Sequence, residues 1–159
     1  MLPDCNSGSQ IEVNDDGSQI FLLMRKYWPT LVTNNKYFWE HEYNKHGYCY
    51  NQKFGLDVNK PELYFQKGLD LFMQYKINTL IIDTFGDHNG DVSFTFSEFL
   101  EKLKTAMGGD FFAIKCKSVN GKQYLNEIRF KLDLDFKLTT EGKEGGSCKS
   151  KKPVYINYW

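Results

Sequence analysis

The stretch Phe38-Trp39-Glu40-His41-Glu42-Tyr43-Asn44-Lys45-His46-Gly47-Tyr48-Cys49 concentrates more chemistry than any other part of this 159-residue chain. It holds two of the three histidines, with two acids, one lysine and three kinds of aromatic ring. Its spacing predicts a short helix carrying Phe38 to His46 and closed by Gly47 just past its end. At about 100° per residue, His41, Glu42, Lys45 and His46 then fall within one arc of about 140°. Two imidazoles, a carboxylate and an ammonium make a poor core surface. They make a good site for a phosphate undergoing transfer, because imidazole moves protons near neutral pH and lysine neutralises non-bridging oxygens. A zinc-protease reading fails on spacing: such a site needs histidines four apart, whereas these are five apart with Lys45 in the ligand position. A solvated charged face is the plain alternative, and Trp39 reads as a core anchor.

Outward from this segment, the chain reads as helices first and strands afterwards. Residues Met1–Gln19 are rich in Ser, Asn, Asp and Gly and read as a loop, followed by a helix over Ile20–Trp28 that stops at Pro29. Asn59 with Pro61 starts another helix, whose Leu63, Phe65, Leu69, Phe72 and Tyr75 point to a core. Ile77–Ile82 is a further helical piece. Gly86–Asp91 is a polar turn that holds the third histidine, His88; its acidic spacing does not complete a calcium loop, since position 94 is Phe and Glu98 fits only with the wrong start. Thr95 and Glu98 form a capping box for a helix through Met107 that ends at Gly108-Gly109. Strands are expected over Phe111–Ser118 and Lys122–Leu138, joined at Asn120-Gly121, with Ile128, Phe130, Leu132, Leu134 and Phe136 alternating against charged residues. Thr139–Lys152 is a charged loop, and Val154–Trp159 is a last strand. The class is therefore α+β, with an antiparallel sheet packed against several helices in one domain over residues 1–159.

Composition excludes some functions. Lys plus Arg and Asp plus Glu are both 20, so the net charge is zero and there is no global field for nucleic acid. Any RNA contact must then be local. No apolar run approaches the roughly 20 residues of a membrane helix, and no signal peptide is visible. Cys5, Cys49, Cys116 and Cys148 are widely spaced, which argues against a zinc ribbon and leaves three ways of forming two disulfides, or free thiols.

The segment resembles the ribonuclease T2 pattern Phe-Trp-x-His-Glu-Trp-x-Lys-His-Gly-x-Cys, with Tyr43 in place of the second Trp. Trp28-Pro29 is similar to a Trp-Pro that precedes it in that family of secreted acid ribonucleases, which includes plant S- and S-like ribonucleases. The resemblance implies cleavage of single-stranded RNA through a 2′,3′-cyclic phosphate, by a monomer, without metal or cofactor and away from membranes. By the same resemblance His46 is the general base, His41 binds phosphate, and Glu42 and Lys45 stabilise the phosphorane. Phe38 stacks on a base, and Thr30 lies by the same base pocket. It pairs Cys5 with Cys49 and Cys116 with Cys148, in an oxidising compartment, secreted or vacuolar. Met1–Cys5 is similar to the tail of an earlier family segment whose histidine is the general acid. That histidine and the strands before it are absent from the sequence, so the resemblance implies an N-terminally truncated ribonuclease. The alternative is an inactive relative with a storage, defence or recognition role.

Overall fold

A computed structural model describes residues 10–77, 79–87, 90–108, 113–139 and 146–158. The chain forms two compact units, divided between Gln74 and Tyr75.

The first unit is helical. Helix α1 (Gln19–Tyr27) buries Phe21 and Met24, and the backbone N–H of Trp28 closes it on the Met24 carbonyl just before Pro29. Helix α4 (Pro61–Gln74) starts on its proline and buries Phe65 and Leu69; Leu63 and Phe72 are only half-buried. Gly68 lets the Trp28 indole come close against α4, since a Cβ there would lie 2.6 Å from the ring. Trp28 also meets the Phe65 ring edge-on at 5.2 Å.

Between these helices runs one continuous helical stretch. Helix α2 (Asn35–Glu42) passes into a π-helical turn over Tyr43–Gly47, which continues into helix α3 (Tyr48–Lys53). Gly47 was expected to end a helix. Instead it sits within one, at φ −69° and ψ −35°, and it is buried. The physical reason is a close approach rather than a turn. A Cβ on Gly47 would lie 2.3 Å from the Tyr43 ring and 2.7 Å from that of Tyr64. The Tyr48 N–H reaches back five residues to the Tyr43 carbonyl, the wider spacing that defines a π turn. Trp39, Tyr43, Gly47 and Asn51 thus form a buried stripe at intervals of four residues.

Among its described residues, the second unit is a four-stranded sheet with two helices. Strand order is β1-β4-β3-β2, with β1 Gly90–Phe94, β2 Ala113–Val119, β3 Lys122–Arg129 and β4 Val154–Tyr158. Asn120 and Gly121 both have positive φ, 49° and 79°, and make the tight β2–β3 turn. The α+β class holds, with a mixed sheet. Pairs β1–β4 and β2–β3 are antiparallel, whereas β3 and β4 run parallel and pair only at Gln123–Val154 and Tyr124–Tyr155. Helix α6 (Phe96–Met107) carries the full Thr95–Glu98 capping box and ends at Gly108 in the left-handed region. Phe85 of helix α5 (Leu80–Phe85) stacks on Phe99 of α6 at 4.9 Å, within a core that includes Leu103, Ile114, Val154 and Ile156.

Three expectations are corrected here. The helix expected at Ile77–Ile82 lies at Leu80–Phe85. Gly90 and Asp91, read as the end of a polar turn, already belong to β1, a strand the composition hid behind glycine and aspartate. The long strand to Leu138 stops at Arg129, because the Asp133 carboxylate accepts the Asp135 and Lys137 N–H groups at 2.9 Å and folds that segment into a turn. Within that turn Leu134, one of the alternating apolar residues, is 67% exposed.

Three outcomes follow from this packing. Gly47→Ala is expected to cost about 1–3 kcal/mol in urea unfolding, the usual penalty of overpacking a core. Cys116 and Cys148 are disulfide-bonded with Cα atoms 4.9 Å apart. Replacing both by serine should therefore lower stability by about 2–4 kcal/mol. Burial pushes the Tyr43 and Tyr64 phenols up to about 12. Because the folded chain keeps these protons while unfolded tyrosine loses them near pH 10, stability should fall between about pH 10 and 12. Absorbance titration at 295 nm beside urea melts at each pH checks this; two normally titrating buried tyrosines would contradict it.

Candidate active site

The entry to α2 is built by hydrogen bonds to short polar side chains. The Thr30 hydroxyl accepts the Val32 and Thr33 N–H groups at 3.3 Å, and the Asn35 side chain accepts the Thr30 N–H at 3.0 Å. Asn34 then caps the helix by accepting the Tyr37 N–H at 2.8 Å. This turn leaves Leu31 and Val32 95% and 93% exposed beside Thr30. Phe38 is half-buried and packs against the unit's core.

The buried stripe decides where the chemistry-bearing side chains go. With Trp39, Tyr43, Gly47 and Asn51 turned inward, His41, Lys45 and His46 are exposed and Glu42 is half-buried. The π turn also narrows the angle between side chains five residues apart, the spacing of His41 and His46. Toward described residues, none of these four side chains makes a hydrogen bond or an ion pair. The Glu42 carboxylate lies close enough to Tyr64 to add to the upward shift that burial gives its phenol. The arrangement presents two imidazoles, one ammonium and one carboxylate to solvent from a rigid backbone.

That rigidity comes from Trp39, expected as a core anchor, and from polar residues to which the sequence assigned no role. Trp39 donates its indole N–H to the Trp28 carbonyl at 2.8 Å. The Tyr43 hydroxyl donates to the Val58 carbonyl at 2.7 Å and accepts from the Asn51 amide at 3.0 Å. Asn51, fully buried, also donates to the carbonyls of Asp57 and Lys60, at 2.9 and 3.1 Å. On the flank of α2 the Asn44 amide pairs with both backbone groups of Ile11, at 2.9 and 2.8 Å, as a neighbouring strand would. Glu40 accepts the Val13 N–H at 3.2 Å and faces Lys36 at 3.6 Å. Glu40 and Asn44 stand one helical turn apart, and that spacing was the available signal. Cys49 is disulfide-bonded. Cys5, expected as its partner, and His88 lie outside the described residues, and no group of three or more potential metal ligands occurs among the described residues.

The Ribonuclease T2 family model matches residues 2–150, a span that crosses both compact units. Among curated proteins, Ribonuclease Oy of Magallana gigas is 30% identical over 161 residues, covering 96% of this chain and 73% of its own length. Ribonuclease T2-A of Mus musculus is 31% identical over 108 residues, covering 66% of this chain and 40% of its own length. Ribonuclease Rh of Rhizopus niveus is 35% identical over 74 residues, or 41% of this chain and 30% of its own length. The chain thus spans well under half of the mouse and fungal relatives. No solved structure gives a significant match. Across nearly its whole length, this chain belongs to the ribonuclease T2 family.

Proposed function

We propose that this protein is an endoribonuclease that cleaves single-stranded RNA by transphosphorylation, with the exposed face of the α2–α3 stretch as its catalytic surface. The observation that carries this reading is the buried stripe, which leaves His41, Lys45 and His46 exposed on the other side of the helix with Glu42 half-buried beside them. Family membership supports the reaction class.

In this reading His46 takes the proton from the 2′-hydroxyl as that oxygen attacks phosphorus. His41 and Lys45 hold the non-bridging oxygens, and Lys45 and Glu42 stabilise the crowded phosphorane. The bond from phosphorus to the 5′-oxygen then breaks, leaving a 2′,3′-cyclic phosphate. The departing oxygen needs a proton from a donor outside these four residues. Phe38, with Thr30 in the turn that precedes the same helix, offers a nearby base contact that tolerates sequence because every base has a π-face. The match across both units supports one domain over the whole chain. The Cys116–Cys148 bond fits an oxidising compartment, outside the cell or in a vacuole.

In-gel digestion of RNA at mildly acidic pH tests the reading. His46→Ala is expected to lower cleavage about 10²–10⁴-fold, the usual contribution of one general acid or base. Equal residual cleavage by both chains would remove the enzymatic role and leave an RNA-binding relative in its place.

A further inference from the structure

The net charge of zero conceals an uneven distribution. Up to Gln74 the chain has 7 Lys and Arg against 9 Asp and Glu; beyond it there are 13 against 11. Within the second unit, residues 115–122 and 149–152 contain six lysines and no acid. These two runs lie some thirty positions apart in sequence, and the fold fastens them together. The Cys116–Cys148 disulfide joins their edges. Ser147 bonds both backbone groups of Cys116, at 2.9 and 3.2 Å. Buried Gln123 accepts the Lys149 N–H at 2.7 Å and donates to the Lys149 and Lys152 carbonyls at 3.3 and 3.4 Å. The Lys152 ammonium reaches the Gly121 carbonyl at 3.3 Å.

Beside this cluster the sheet carries a row of directly opposed residues on one face: Lys117, Tyr124, Tyr155 and Ser93. The two tyrosine rings are 5.5 Å apart, and the Lys122 ammonium lies 4.8 Å above the Tyr155 ring. Asp91 faces the row, accepting the Tyr124 hydroxyl at 2.5 Å and meeting Lys122 at 3.5 Å. Lysines on an edge strand guard against unwanted pairing, and that accounts for Lys115 and Lys117 on β2. It does not account for Lys149, Lys151 and Lys152, which sit in a loop, or for paired rings at the end of the run.

We propose that this end of the sheet is a second binding surface for single-stranded RNA, its lysines matching phosphates and Tyr124 and Tyr155 stacking on bases. Cations tracking a backbone beside aromatic platforms are the chemistry that recognises unpaired strands. The surface takes RNA whether or not the histidine helix cuts it.

The test is fluorescence anisotropy with a labelled fifteen-nucleotide 2′-O-methyl oligouridylate, which lacks the free 2′-hydroxyl and cannot be cleaved. The full chain carries His41→Ala and Lys45→Ala, so that the candidate active site contributes little. In that background, Lys117→Ala/Lys122→Ala/Lys152→Ala should lower the slope of log affinity against log salt by about 0.7 per lysine removed. Tyr155→Leu should weaken binding about tenfold. Cys116→Ser/Cys148→Ser, which changes no charge, should weaken binding by releasing one lysine run from the other. A control set, Lys60→Ala/Lys102→Ala/Lys137→Ala, should leave the slope nearly unchanged, with circular dichroism confirming that each variant folds. An unaltered slope in the first set, equal losses in the control set, or binding to phosphatidylserine vesicles without binding to the oligonucleotide would each overturn the proposal. Cleavage of unmodified RNA is scored separately, so a silent catalytic site leaves this result readable.

Discussion

The Tyr43 ring occupies the space that a side chain at position 47 would fill, and the placement of the candidate active site depends on that contact. With no Cβ on Gly47, Tyr43 lies along the helix beneath it, its hydroxyl anchored by Val58 and Asn51. Trp39 and Asn51 extend the same inward line by one turn in each direction. Once those four positions are fixed, the rotation of the helix is set: His41, Lys45 and His46 face outward and Glu42 lies at the boundary, half-buried. The face that carries these four side chains is set by what its opposite face buries. A buried phenol with two hydrogen bonds is expensive to leave unpaired, so the anchor specifies one rotation of the helix rather than several.

Much of this was legible in the sequence where the signal was local. The Thr95–Glu98 capping box, the Asn120-Gly121 turn and the stop at Pro29 depend on a few adjacent residues and carry their own mechanism. The four chemistry-bearing residues were legible for the same reason, being crowded into six positions. Less legible was whatever depends on a distant partner. Gly47 reads as a helix end by composition, and only the Tyr43 and Tyr64 rings beside it show why the helix runs on. Strand β1 has a weak pattern of its own and exists because β4 pairs with all five of its residues. The alternation from Ile128 to Phe136 looked like one long strand, yet a single carboxylate at Asp133 bends it into a turn. Glu40 and Asn44 looked like solvated helix polars until the segment around Ile11 and Val13 lay against them.

The two units differ in how they use polar groups. In the first, amides and hydroxyls are spent on holding backbone: Asn51 gathers the loop at Asp57–Lys60, Asn44 holds Ile11, and Thr30 and Asn34 shape the entry to α2. In the second, one buried amide, Gln123, performs a similar task for the loop before β4, assisted by a disulfide. A zero net charge is therefore a sum over distinct surfaces, and it says little about what any one of them attracts.

The position of β4 has a consequence for how the protein is made. This last described strand lies inside the sheet, between β1 and β3. Phe94 finds its partner only in Val154, about 60 residues later, so β1 emerges from the ribosome with nothing to pair with. At about 5–20 residues per second that wait lasts roughly 3–12 seconds. Throughout it, the apolar faces of α5 and α6 and the hairpin of β2 and β3 lack the strand that joins them. The helical unit, made first and rich in local contacts, can close during the same interval. The second half of the chain is thus the part most in need of chaperones, and changes that slow its final step should appear as lost yield before they appear as lost stability.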